Sequence, residues 1–391
     1  RLGRDAESGA AYREASAANS EYVFPSRLEE MLLLQEAIRA NSGDARAPYY
    51  LGNLLYDRRR HREAIALWED ATRLDPSLPT PWRNLGFGYY NVLHDSPRAL
   101  DAFVHARELA SSDARIFYEQ DQLLKRVGES PTRRLAALEG HADLVQQRDD
   151  LSVEFASLYN STGRPDLALT VLLSRKFQPW EGGEGLVLTQ YVRANLLLGQ
   201  RALESGDTRT ALERFDAAWN PPQSLSEAKH LLMNLSMIDY WLGAAYAQSD
   251  RPAKAAIHWE RAAKSQGDFQ QMQVQTISDT TYWSALALRG LGREEEARAL
   301  FQKIYAYGAA LELQTPKIDY FATSLPAMLL FHEDAGQREK ITACFLQAQA
   351  LLGLGETKRA HDLLRQIHDL DHSHAGATDL LHQDSLNQDK R

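Results

Sequence analysis

Two stretches of the chain gather residue types that could do chemistry. The first reads Phe177-Gln178-Pro179-Trp180-Glu181-Gly182-Gly183-Glu184-Gly185. An indole face can stack on a sugar ring, and Glu181 and Glu184 could accept from its hydroxyls. Paired acids also do acid–base work on glycosides, but only when held roughly 5 to 9.5 Å apart across the scissile bond. The same glycines equally suit a tight turn whose Trp covers a core. Lys317, Asp319 and Tyr320, in the run Lys317-Ile318-Asp319-Tyr320-Phe321, join these as candidate ligand-loop residues. The second stretch holds His368, Asp369, Asp371, His372 and His374, all metal-ligand types. No helix or strand period puts all five on one face, so a solvated turn is expected there. The chain shows no phosphate-binding glycine loop, no Cys/His zinc spacing and no nucleophile–base motif. The expectation is a chain that is not an enzyme by itself, with no catalytic residue, metal or cofactor.

Composition narrows the class. Across 391 residues, 44% are hydrophobic and 25% charged, the balance of a chain that folds. The net charge is −9, and the Lys and Arg are scattered among acids, which argues against nucleic acid or an anionic membrane as partner. No apolar run approaches the roughly 18 residues that cross a bilayer, so no membrane insertion is expected. The lone Cys344 can form no intrachain disulfide; a bacterial cytoplasm is favoured over secretion. The chain opens Arg-Leu-Gly-Arg-Asp, without an initiator Met, and reads as a segment of a longer polypeptide.

The elements that would position any site come from a repeat. Trp82-x2-Leu85-Gly86-x2-Tyr89 is followed by Ala99-x3-Phe103, and an earlier copy runs from Leu51-Gly52 through Ala64, Trp68, Ala71 and Pro76. Gly52 and Gly86 are 34 residues apart, one tetratricopeptide (TPR) period, and the pattern resembles that family. The resemblance implies antiparallel helix pairs in which Gly meets Ala at the close approach and Trp or Phe fills the wider space. The second copy carries one extra residue around Asn91 to Pro97, where the chain must bulge. A degenerate unit is expected from Ala114 to about Gln147.

Farther on, Gly163, Gly206, Asp250, Gly292 and Gly355 mark inter-helix turns at steps of 43, 44, 42 and 63. All exceed the family's period, so the later first helices are longer or carry inserts, and inserts tend to map to a binding face. The expected fold is all-α, a right-handed superhelical solenoid of about eight helix pairs. Residues 1–25 form a flexible or frayed segment, 26–148 regular units, 149–377 elaborated units and 378–391 a disordered tail. Tyr22 to Ser26 would supply an apolar staple and N-cap for a helix beginning near Arg27.

In TPR arrays the first helices line a concave groove. Here the matching positions include Tyr49, Asn53, Tyr56, Arg83, Phe87, Tyr90, Asn91 and Arg115, aromatic and amide groups suited to gripping extended peptide. Asn53, Asn84 and Arg115 also fall where carboxylate-clamp TPRs place ligands, although Glu119 replaces a cation of that pattern. The stretches Tyr22 to Met31, Ala47 to Asp57, Pro179 to Gly185 and Lys317 to Phe321 resemble the TPR half of a bacterial family of unknown function. Its longer members carry a β-rich, sugar-epimerase-like region ahead of the repeats. Two functions follow as expectations. One is a non-catalytic scaffold whose partner is a protein or peptide, a second copy, or an N-terminal domain of the same polypeptide. The alternative is the accessory half of a carbohydrate-active enzyme, contributing to glycan binding.

Overall fold

The computed structural model describes residues 5–18, 23–178, 180, 182–229, 231–265, 267–270, 273–314 and 330–388. They form two compact units. The first is residues 1–127 with 330–332, and the second is 128–329 with 333–391.

The first unit contains α1 (Asp5–Ala17), α2 (Leu28–Ala40), α3 (Arg46–Asp57), α4 (His61–Leu74), α5 (Pro79–Gly88), a π-helical turn (Tyr89–Leu93), α6 (Ser96–Leu109) and α7 (Ala114–Arg126). Two hairpins, α3/α4 and α5/α6, carry the clear repeats. Their close approach is steric: a Cβ at Gly52 would lie 2.5 Å from the Trp68 ring, and one at Gly86 would lie 2.4 Å from Phe103. Trp68 and Phe103 are 3% and 0% exposed. The second unit repeats the device, with Gly199 against Phe215 and Gly243 against Trp259. Three of these pairs are 16 residues apart and the Gly86–Phe103 pair 17. The surplus residue is absorbed by the π-helical turn, the bulge that the second repeat demands.

The second unit comprises α8 (Pro131–Glu139), α9 (Ala142–Val145), α10 (Asp149–Ser161), α11 (Pro165–Leu173), α12 (Leu186–Glu204), α13 (Thr208–Trp219), α14 (Ser236–Gln248), α15 (Pro252–Lys264), α16 (Thr281–Gly290), α17 (Glu294–Glu312), α18 (Ala335–Leu354), α19 (Thr357–Leu370) and α20 (Ala375–Gln388). Five hairpins run from α10/α11 to α18/α19. All five expected turn residues adopt left-handed backbone: Gly163, Gly206, Asp250, Gly292 and Gly355 have φ between 56° and 84°. Pro131, Pro165 and Pro252 open second helices, where a missing N–H costs nothing. Among the described residues the only strands are β1 (Asp268–Gln270) and β2 (Gln273–Gln275), an antiparallel hairpin between α15 and α16.

Three expectations need adjustment. The N-cap of α2 is Arg27, with the Glu30 carboxylate accepting from the Ser26 and Arg27 N–H groups at 2.7 and 2.8 Å, and Phe24 is 79% exposed, so it staples nothing. Residues 378–388 continue α20 instead of forming a tail. The degenerate unit has its first helix, α7, in one compact unit and its second, α8, in the other.

Candidate functional site

The expected groove positions of the first unit form a connected row. From α3, the Asn53 Oδ1 accepts from Trp68 Nε1 at 3.1 Å and from Asn84 Nδ2 of α5 at 2.8 Å. Tyr49 packs beside Tyr50, ring centroids 5.1 Å apart. Tyr56 lies between His61 and Trp68 at 4.5 and 5.1 Å; burial raises its phenol pKa, and a hydrogen bond with Asn91 opposes that shift. At the other end, the buried Glu119 of α7 receives both Arg83 and Arg115. Arg83 is mostly buried, whereas the Arg115 side chain is 61% exposed. The Arg83 guanidinium also lies 4.9 Å from the centre of the Phe87 ring.

This geometry removes the carboxylate clamp. Asn53 and Asn84 are committed to each other and to Trp68, and Arg83 is committed to Glu119. A free carboxylate brought here would meet a buried Glu and one exposed cation, which is poor compensation.

The centre of the row is not empty. Phe331, 2% exposed, is seated among Phe87, Tyr90 and Phe103, with ring centroids 5.1, 5.2 and 6.0 Å away. Its contact with Tyr90 is edge-on at 83°, an arrangement favoured by the ring quadrupoles. The backbone on either side of Phe331 is held by one side chain. Asn91 Nδ2 donates to the Leu330 carbonyl at 3.0 Å, and the His332 N–H donates to Asn91 Oδ1 at 2.8 Å. The chain bends at Leu330 and Phe331, and Asn91 pairs with the carbonyl before the ring and the N–H after it, groups that every non-proline residue carries, so it reads main chain without regard to side-chain identity. Asn91 occupies the third position of the π-helical turn. The residue that makes the second repeat one longer thus coincides with the residue that grips the segment.

Sequence reasoning places Asn91 on the groove but misses Phe331. The signal available was the apolar run Leu325-Pro326-Ala327-Met328-Leu329-Leu330-Phe331, which no repeat position absorbs.

The remaining candidates read as structure. The Trp180 indole lies over Gly183, where a Cβ would be 1.9 Å from the ring. Glu184 accepts from the Gly182 N–H at 2.9 Å, closing a turn. The N-terminus of α12 is capped by Glu227, which accepts from Gly185 and Leu188 at 3.0 and 2.8 Å; burial raises its pKa. Glu181, Lys317, Asp319 and Tyr320 lie outside the described residues. The His/Asp cluster surrounds the start of α20: His374 Nδ1 accepts from the Ala377 N–H at 3.0 Å, and its ring packs on Phe345 at 4.8 Å. Asp371 accepts from the Ser373 N–H. Among the described residues no group of three or more His, Cys, Asp or Glu is arranged to hold a metal, and no described helix is long and apolar enough to cross a membrane.

No protein-family model matches the chain. Among solved structures it is similar to YrrB, a TPR protein with an unusual peptide-binding site, at 19% identity over 60% of this chain and 92% of that one, TM-score 0.33. A TPR protein from Parabacteroides merdae ATCC 43184 matches at 13% identity over 66% of this chain and 92% of that one, TM-score 0.35. Naa15/Naa10 bound to HypK-THB matches at 14% identity over 97% of this chain, which spans 61% of the matched chain, TM-score 0.43. The fold assignment rests on the hairpins themselves: an all-α array of TPR-type helix pairs with Gly–aromatic close approaches.

Proposed function

We propose that the chain is a non-catalytic interaction scaffold whose first unit holds an extended peptide along Tyr49, Asn53, Tyr56, Arg83, Phe87, Tyr90 and Arg115. The observation that carries this reading is the Asn91 amide paired to main chain on both sides of a seated Phe. Main-chain pairing supplies affinity and the aromatic seat supplies selectivity, the division of labour in strand-like peptide recognition. The exposed Arg115 adds a cation at one end of the row. The peptide belongs to another protein, to a second copy, or to a further domain of the same polypeptide. For the glycan alternative, Trp180 is half-buried and packs on Gly183, an arrangement that a tight turn explains without a ligand.

A display library of random decapeptides selected on the full chain tests this. Enriched peptides should carry an aromatic residue and should lose binding to Phe87→Arg, checked for native circular dichroism. Enrichment indifferent to Phe87→Arg would overturn the assignment.

A further inference from the structure

We propose that Leu330-Phe331-His332 is an internal stand-in for the partner, and that a partner peptide bearing an aromatic residue in a bent, non-helical segment displaces it. This rests on the peptide-groove reading above and names its ligand class and its regulation.

Three observations support it. His332, the residue after the ring, is exposed, so among the described residues 330–332 the hold comes from the Phe331 ring, the partly buried Leu330 side chain and one pair of backbone bonds. A residue that merely covers a core needs only burial; here a neutral side-chain amide also reads the main chain on both sides of the ring. Finally, the seat is built from groove positions Phe87 and Tyr90, with Phe103 beneath. An external ligand therefore needs the same features: an aromatic ring, with a free carbonyl before it and a free N–H after it. An acidic C-terminus is not required, since Arg83 is already neutralised by Glu119.

Tethering gives the internal segment a high effective concentration. It lowers the apparent affinity for an external peptide by the fraction of time that the groove is open. The probe is a fluorescein-labelled peptide of sequence Met-Leu-Leu-Phe-His-Glu-Asp, read by anisotropy on the full chain. Phe331→Ala should bind it about tenfold or more tightly than wild type, and adding Asn91→Ala to that variant should remove the gain. Equal binding by wild type and Phe331→Ala, with both weakened by Asn91→Ala, overturns the stand-in and keeps the groove. Binding indifferent to Asn91, or absent from every form, overturns both. Because Phe331→Ala could compromise folding, wild type supplies an independent arm: excess peptide should speed hydrogen exchange at the His332 amide. Unchanged exchange at saturating peptide overturns displacement.

Discussion

The two units fill the space beside their first helices in opposite ways. In the first, three residues are held by an aromatic seat and one neutral amide. In the second, a whole helix buries Ala377 and Leu380 in the core and is held in addition by charge. Asp379 of α20 receives Arg193 of α12 through two hydrogen bonds of 2.9 and 2.8 Å, and Gln383 donates to Gln200 at 2.8 Å. Arg134, fully buried, reaches both Glu154 and Ser373 beside the start of α20. An ion pair removed from water is costly to break, because each partner then lacks compensation. Releasing a ring and a neutral amide to a ligand that offers the same groups leaves no charge uncompensated. The contrast separates a built-in closure from an exchangeable occupant.

The largest expected effect tests the closure. Asp379→Ala should destabilise the second unit by about 3 kcal/mol, since Arg193, 8% exposed, keeps only Ser161 Oγ at 3.1 Å. Hydrogen exchange should show α20 and α12 losing protection while α3 to α6 keep theirs. Unaltered protection of α20 would erase the contrast. Asn91→Ala should cost only about 1 kcal/mol, felt at 330–332 and at Tyr56, its hydrogen-bond partner on α3; a loss spread over α4 to α7 would contradict an exchangeable segment.

Acid should likewise divide the units, and alkali should not. Burial lowers the pKa of His368 and His374, with Asp371 and Asp379 opposing the shift at His374. The folded state therefore binds fewer protons than the unfolded one. Their contribution is present above the ordinary His value near 6.5 and is lost as pH falls through the lowered native values. Protection of α19 and α20 should decline there first. In the first unit, burial and the hydrogen bond to Glu69 push Tyr89 up to about 12. Its contribution is complete below about 10 and is lost as pH rises towards the native value. In the second unit, burial likewise raises Tyr159, Tyr191 and Tyr240, so thermal scans at pH 11 should weaken both units, whereas scans at pH 5 should lose the second preferentially; an equal response of both units at pH 5 would contradict the division. The smallest expected effect belongs to Trp180→Ala, within about 1 kcal/mol of wild type and silent on a glycan panel. A glycan signal lost in that variant would revive the carbohydrate reading.

Much of this was readable from residue spacing because repeat cores are local. Gly52, Gly86 and their aromatic partners are fixed by contacts within one hairpin, so a period exposes them. The turn glycines are legible for the same reason, since a left-handed φ selects them. Asn91 was half legible: one surplus residue announced a bulge, but not which way its side chain would turn. Phe331 was illegible, because its seat is made 240 residues earlier in the chain, and nothing local records that pairing. The Trp180 loop was legible in part: its glycines already favoured a tight turn over a sugar site, and the packing of the ring on Gly183 with the Glu184–Gly182 hydrogen bond agrees with the turn.

The central claim is that Asn91 reads the main chain around a seated aromatic ring. Its most direct test keeps every side chain and alters one backbone atom. The labelled Met-Leu-Leu-Phe-His-Glu-Asp peptide, N-methylated at its His, lacks the N–H that Asn91 Oδ1 would accept from. Binding to the Phe331→Ala chain should weaken about tenfold, the cost of roughly 1.4 kcal/mol for a lost, partly buried hydrogen bond. An affinity equal to that of the unmethylated peptide would contradict the account.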